Sequence, residues 1–104
     1  QLRNLPVTLP ACDDRRQHAW HQFVIRSPNR PAVIESFRKN EIGWGIHYEY
    51  CLHRMPAFAG FFDQTRSLHV TENAAREILS LPASPELTDE DCDRVIRTLQ
   101  EALQ

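Results

Sequence analysis

Between Thr88 and Leu103 the chain carries a pattern that an amphipathic helix lying on a core satisfies. Cys92, Val95, Ile96, Leu99, Ala102 and Leu103 recur at intervals of three and one, which gathers them into one stripe. Thr88 stands as the N-cap, with Asp91 at the third helical position as a capping-box variant. Asp89 and Glu90 fill the positive end of the helix dipole. Such a stripe must be covered, so the rest of the chain has to supply a packing surface. On this stripe Cys92 reads as a small buried hydrophobe, not a nucleophile.

Little chain is left to do it. At 104 residues there is room for one domain, residues 1–104, with one modest core. Hydrophobic residues at 41% and charged residues at 25% are ordinary globular values, which excludes bulk disorder. A net charge of −2 argues against an electrostatic nucleic-acid binder. No apolar run approaches the ~20 residues of a membrane span, and no secretory leader opens the chain. Cys12, Cys51 and Cys92 are odd in number and far apart, so they read as free thiols in a reducing, cytoplasmic compartment. The first residue is Gln1, as expected of a processed product or a piece of a longer protein. Lys39 is the one lysine; every other basic residue is arginine.

Along the chain, Leu5, Val7 and Leu9 alternate but are interrupted by Pro6 and Pro10, which suits an edge or loop. His18 to Arg26 reads as a central strand, with Trp20, Phe23, Val24 and Ile25 on both faces. Asn29 caps a helix over 30–40, with Pro31 in its first turn and Val33, Ile34 and Phe37 on its inner side. Arg38, Lys39 and Glu41 form a solvated terminus. Ile42 to Tyr50 reads as a second strand, containing Gly43 and Gly45 around Trp44. A long loop follows. A helix then runs over 71–79, and Ser80-Leu81-Pro82 is an extended exit. This order predicts a two-layer α+β domain, a short mainly antiparallel sheet with helices packed on one side.

The chemistry-bearing segment is His47-Tyr48-Glu49-Tyr50-Cys51-Leu52-His53. As a strand it points His47, Glu49, Cys51 and His53 to one side, but His47 and His53 would then lie ~20 Å apart, so only an i, i+2 pair or a sharp bend could share one metal. No CxxC or HExxH pattern supports a metal either. A Cys51/His53 hydrolase would need a positioned base and an orienting partner that one short segment does not supply. The remaining reading is a pocket rim in which histidines and tyrosines face a hydroxylated or phosphorylated ligand. Against it stands the plain alternative that these are satisfied strand residues.

Five motifs in order resemble one pattern: Trp20-His21-Gln22-Phe23-Val24-Ile25-Arg26, Gly45-Ile46-His47-Tyr48, Leu52-His53 with Pro56-Ala57-Phe58, Glu77-Ile78-Leu79-Ser80-Leu81-Pro82, and Pro85-Glu86-Leu87-Thr88. The pattern is similar to the C-terminal small domain of the DegT/DnrJ/StrS family of sugar aminotransferases. The resemblance covers about Leu5 to the end. It implies the C-terminal domain of the aspartate-aminotransferase fold type. Whole members use pyridoxal phosphate to transfer an amino group to a nucleotide-linked keto sugar, and work as homodimers with active sites at the subunit interface. The large domain supplies the Schiff-base lysine and most phosphate contacts. The resemblance makes His47, Tyr48 and His53 substrate-side groups. It offers Phe58 as a pocket wall, with core packing as its competing role. Arg26 could reach an anion, against the plainer reading of a solvated strand end.

The sequence departs from the family pattern in places. Pro31 replaces an acidic residue, Cys51 replaces the usual proline before Leu-His, and His69-Val70 stands where a proline often opens the next helix. The large domain is absent, and Lys39 lies in an exposed charge run. The chain is therefore expected to bind no cofactor and no metal by itself and to be catalytically incomplete. Two other readings stay open: a non-catalytic module that binds a nucleotide sugar or regulates, and a subunit that completes an active site in trans. Trp44, Phe58, Phe61 and Phe62 are expected to form an exposed apolar patch.

Overall fold

The computed structural model describes residues 1–104. Two strands, β1 (Phe23–Arg26) and β2 (Ile78–Leu81), pair antiparallel, with Phe23 opposite Leu81 and Ile25 opposite Leu79. Three helices accompany them: α1 (Arg30–Lys39), α2 (His69–Glu77) and α3 (Asp89–Ala102). Single-residue bridges widen the ribbon on both edges. Thr8 exchanges two 2.9 Å backbone hydrogen bonds with Arg26, and Gly45 pairs with Ser80. The α+β architecture and antiparallel sheet expected from the sequence are therefore present, and the 5–9 segment lies at an edge.

The core is small. Ile25, Val33, Phe37, Ile42, Leu79, Leu81 and Leu99 are its buried apolar members, drawn from both strands, α1, the turn that follows α1, and α3. Helix α3 begins with a full capping box: Thr88 Oγ1 accepts from the Asp91 amide, and the Asp91 carboxylate accepts from the Thr88 amide at 2.9 Å. The Thr88 hydroxyl, 2.6 Å from Asp91 Oδ2, and then the Thr88 amide hold the Asp91 carboxyl below the usual carboxylate range, with the Arg94 charge adding to them. The end of α1 is a Schellman turn in which Glu41 takes the left-handed position (φ 54°). The Glu41 amide donates to Arg38 O and the Ile42 amide to Phe37 O, which delivers Ile42 into the core beside Phe37. Helix α2 passes directly into β2. Arg30 Nη1 donates to Ala75 O at 2.7 Å and to Ile78 O at 3.2 Å, satisfying carbonyls at the helix end.

Several sequence expectations are corrected. The strand proposed from His18 starts only at Phe23. Trp20 sits at φ 49°, a left-handed conformation a bulky residue seldom adopts, with its amide bonded to His18 Nδ1 and its ring stacked on the same imidazole. The strand proposed over 42–50 does not form. Ile42 is spent on the Schellman turn, and after the single bridge at Gly45 the chain turns at His47 and Tyr48, whose peptide bond is cis. The proposed exit at Ser80-Leu81 is instead half of the sheet. Helix α2 starts at His69, two residues earlier than expected. Asn29 occupies the N-cap of α1 without a side-chain capping bond. Cys92 is exposed, because the buried part of α3 centres on Thr98 and Leu99, nearer its C-terminal end. Arg26 is not free to take an anion; it is paired with Glu77 at 2.7 Å.

Much of the surface is apolar. Phe61 is 82% exposed and Tyr48 77%, and Trp44, Phe58 and Phe62 are exposed as expected. The accessible surface is 7911 Å². A self-contained monomer of this mass would expose about 6,000 Å². No helix is long and apolar enough to cross a membrane.

Candidate functional site

The proposed site residues fall into two neighbourhoods. The first is a cavity of about 670 Å³ bordered by the 41–45 turn, the end of β2 and the first half of α3. His47, Trp44, Glu41 and Arg94 are among its walls. His47 is folded back over its own chain. Its Nδ1 lies 2.8 Å from Ser80 Oγ, across the bridge that Gly45 makes with Ser80. A Cβ on residue 45 would stand 2.6 Å from His47 Cε1, so glycine at 45 is what lets the imidazole settle there. Tyr48 meets His47 edge-on at 5.7 Å and otherwise points to solvent.

His53 belongs to the second neighbourhood. It lies in a short 3-10 turn, Leu52–Arg54, and is only 6% exposed. Its Nε2 is 2.9 Å from Glu72 Oε1, on the first turn of α2. The same carboxylate accepts from Arg54 Nε and Nη2, from Ser67 Oγ at 2.7 Å and from the Leu68 amide. The His53 bond, then Ser67 and Arg54, hold the Glu72 carboxyl far below the usual carboxylate range. Gln64 Nε2 donates to His53 O, and Arg54 Nη1 to Gln64 O. One carboxylate on a helix thus gathers a loop that has almost no regular structure of its own. Asp63 secures the loop tip by accepting from the Thr65 amide and hydroxyl, which lowers its pKa as well. His53 also borders a cavity of about 360 Å³ with Phe61, Phe62, Asp63, Arg66 and Leu68.

His47 and His53 share neither cavity, and Tyr48 and Phe58 line neither of the two. Phe58 is not a core residue either; it packs edge-on against Phe61 at 6.4 Å and is exposed. Glu49 and Cys51 do not gather with the histidines into a metal-binding group. Glu72 and Ser80, the partners that orient the two imidazoles, were not singled out by the sequence. They lie 19 and 33 residues from the histidines they hold. Glu72 carries only the ordinary signal of an acidic residue in a first helical turn.

Lys39 is the one side-chain amine that could meet the aldehyde of pyridoxal phosphate. An imine with the cofactor aldehyde needs an enclosed amine. Lys39 Nζ is 3.6 Å from Glu35 on the open face of α1, its side chain is 71% exposed, and it lines neither cavity.

Comparison with known proteins agrees with the fold. The model of the DegT/DnrJ/EryC1/StrS aminotransferase family matches residues 1–100. The chain is 37% identical over 101 residues to the erythromycin biosynthesis sensory transduction protein EryC1 of Saccharopolyspora erythraea, covering 96% of this chain and 28% of that one. It is 36% identical over 98 residues to the dTDP-3-amino-3,4,6-trideoxy-alpha-D-glucose transaminase of Micromonospora megalomicea subsp. nigra, covering 93% of this chain and 26% of the relative. Among solved structures, S. venezuelae DesV in complex with a ketimine intermediate superposes with a TM-score of 0.90 at 32% identity, over 99% of this chain and 28% of DesV. The chain therefore spans little more than a quarter of the length of the relatives it matches. Over that quarter, sequence and backbone agree, and the chain belongs to the DegT/DnrJ/EryC1/StrS aminotransferase family.

Proposed function

We propose that this chain is the small C-terminal domain of a pyridoxal-phosphate-dependent aminotransferase acting on nucleotide-linked keto sugars, in amino-sugar biosynthesis for an antibiotic or a cell-surface polysaccharide. The observation that carries the reading is the match of nearly the whole chain to 28% of DesV, a protein solved with a ketimine intermediate. By itself the domain is incomplete for catalysis and binds no cofactor. A large cofactor-binding domain, together with a homodimer partner, supplies the amine and the phosphate contacts. The roughly 1,900 Å² of surface beyond that of a self-contained monomer is the kind of area such neighbours cover. The free thiols of Cys12, Cys51 and Cys92 go with a reducing cytoplasmic setting.

The contribution of this chain is to the sugar side. His47 is held on Ser80 and His53 on Glu72, so both imidazoles are oriented before a substrate arrives. Tyr48 presents an open ring and hydroxyl to stack on or bond a sugar. Phe58, packed edge-on against Phe61, extends the apolar surface beside the His53 cavity. Amino transfer to a nucleotide-linked keto sugar should appear only when this chain is combined with a large domain of the family. His53→Ala in that combination should raise KM. Activity from this chain alone, or a His47, Tyr48 and His53 triple variant with unchanged KM, refutes the reading.

A second reading is a non-catalytic nucleotide-sugar-binding or regulatory module, favoured by the sensory-transduction name of the EryC1 relative. Titration of the isolated chain with dTDP-glucose separates the two. Shifts at His47, Tyr48 and His53 without any large domain favour the module.

A further inference from the structure

The Glu72 network does more than fasten a loop. An ionised carboxylate can only accept hydrogen bonds, so the 2.9 Å contact to His53 fixes Nε2 as the donor. No protein group bonds Nδ1 of His53. The one buried side-chain polar atom without a partner is Ser27 Oγ, so Nδ1 of this nearly buried histidine retains an opening to its surroundings. His53 is one of the residues that border the cavity with Phe61, Phe62 and Arg66. His53 is only 6% exposed and its Nε2 is held by Glu72, so the ring has little freedom to turn over.

We infer that Glu72 is a positioning residue: it holds His53 with Nε2–H directed into the carboxylate and Nδ1 presented as a hydrogen-bond acceptor for a donor group, such as a sugar hydroxyl, entering the Phe61–Phe62 cavity. The inference rests on the proposed sugar-facing role of His53 and adds the atom that does the recognising and the residue that selects it. A neutral imidazole turned over would present a donor instead, and the site would favour carbonyl or phosphate oxygens over hydroxyl hydrogens. Glu72 thereby sets what the cavity prefers without touching its occupant.

Nitrogen-15 spectra of the histidine rings test this without any ligand. In the neutral ring, read where the His53 signals no longer move as pH is raised, His53 should show a bare Nδ1 and a protonated Nε2 whose proton exchanges slowly with water. Glu72→Gln offers an amide that can donate as well as accept. It should speed that exchange at least about tenfold and bring in the Nδ1–H form, because the charge-assisted bond is gone. Arg54→Met also loosens the loop but leaves the carboxylate on His53, so its ring signals should match the wild type. A proton on Nδ1 in the wild type overturns the inference, as does an Arg54→Met spectrum changed in the same way as Glu72→Gln. Should Glu72→Gln fail to fold, the other two spectra still decide: a bare Nδ1 in both upholds the inference, and a protonated Nδ1 in either overturns it. A wrong tautomer leaves the proposed enzyme reading standing, and a failed sugar titration leaves the tautomer standing.

Discussion

Leu99 and Cys92 lie on one sequence stripe of α3, but the structure gives them opposite surroundings: Leu99 is fully buried between α3 and α1, and Cys92 is exposed. Truncating Leu99 to alanine removes three buried carbons, worth about 2.4 kcal/mol of transfer free energy. The cavity left behind adds up to about 2 kcal/mol if Phe37 and Val33 cannot close over it. They are placed to resist closure, because Phe37 is held by the Schellman turn and Ser36 Oγ bonds Thr98 O across the helix pair. A loss of about 3–4 kcal/mol follows. A domain of this size has about 5–15 kcal/mol in all, and with 11 buried residues this one belongs near the lower end. The midpoint of thermal unfolding should drop by roughly 15–25 °C. Cys92→Ala should change stability by less than about 0.5 kcal/mol. Urea titration followed by circular dichroism at constant m-value measures both. Equal losses for the two variants, or a Leu99→Ala loss under about 1 kcal/mol, would refute the packing described for α3.

Three further outcomes follow from local geometry. Gly45→Ala should swing the His47 ring off Ser80 while leaving the fold intact, since the clash is with the far end of a side chain; nuclear Overhauser contacts between the His47 ring and Ser80 disappear, and their persistence contradicts the close approach. Glu41→Gly should stabilise the chain by about 0.5–1 kcal/mol by relieving a left-handed conformation at the end of α1; destabilisation in a urea melt counts against it. Glu72 has a folded-state pKa lowered from the ordinary value of 4.5, so its stabilisation is complete above that value and drains away as pH falls through the folded one. The stability gap between wild type and Glu72→Gln should therefore narrow steadily from about pH 5 to pH 2, and a gap constant over that range contradicts the network.

What the sequence made legible was local. The capping box at Thr88 and Asp91, Pro31 in the first turn of α1, and the stripe through Leu99 each depend on residues within one or two turns, and each stands where its pattern placed it. The failures share a cause. Ile42 looks like the first residue of a strand, but its amide is needed to close α1 and its side chain to fill the core. Ser80 reads as the start of a short extended exit from a helix, yet it is the strand position that receives both Gly45 and His47. Cys92 obeys the apolar period, but no element covers the first turns of α3 on that side. For the candidate site, His47, Tyr48 and His53 were legible as chemistry and as family motif. The separation of His47 and His53 into two cavities, with Tyr48 in neither, was not, because it depends on Ser80 and Glu72, long-range partners that no periodicity marks.

Lys39 decides the central claim, that amine chemistry at this fold needs a partner half. Adding pyridoxal phosphate in stoichiometric amount to the purified chain and recording its absorption spectrum is the most direct measurement. The free-aldehyde spectrum should persist unchanged, and an aldimine band should grow in only when a large domain of the family is supplied. A stoichiometric aldimine band from this chain alone, abolished by Lys39→Ala, would contradict the account.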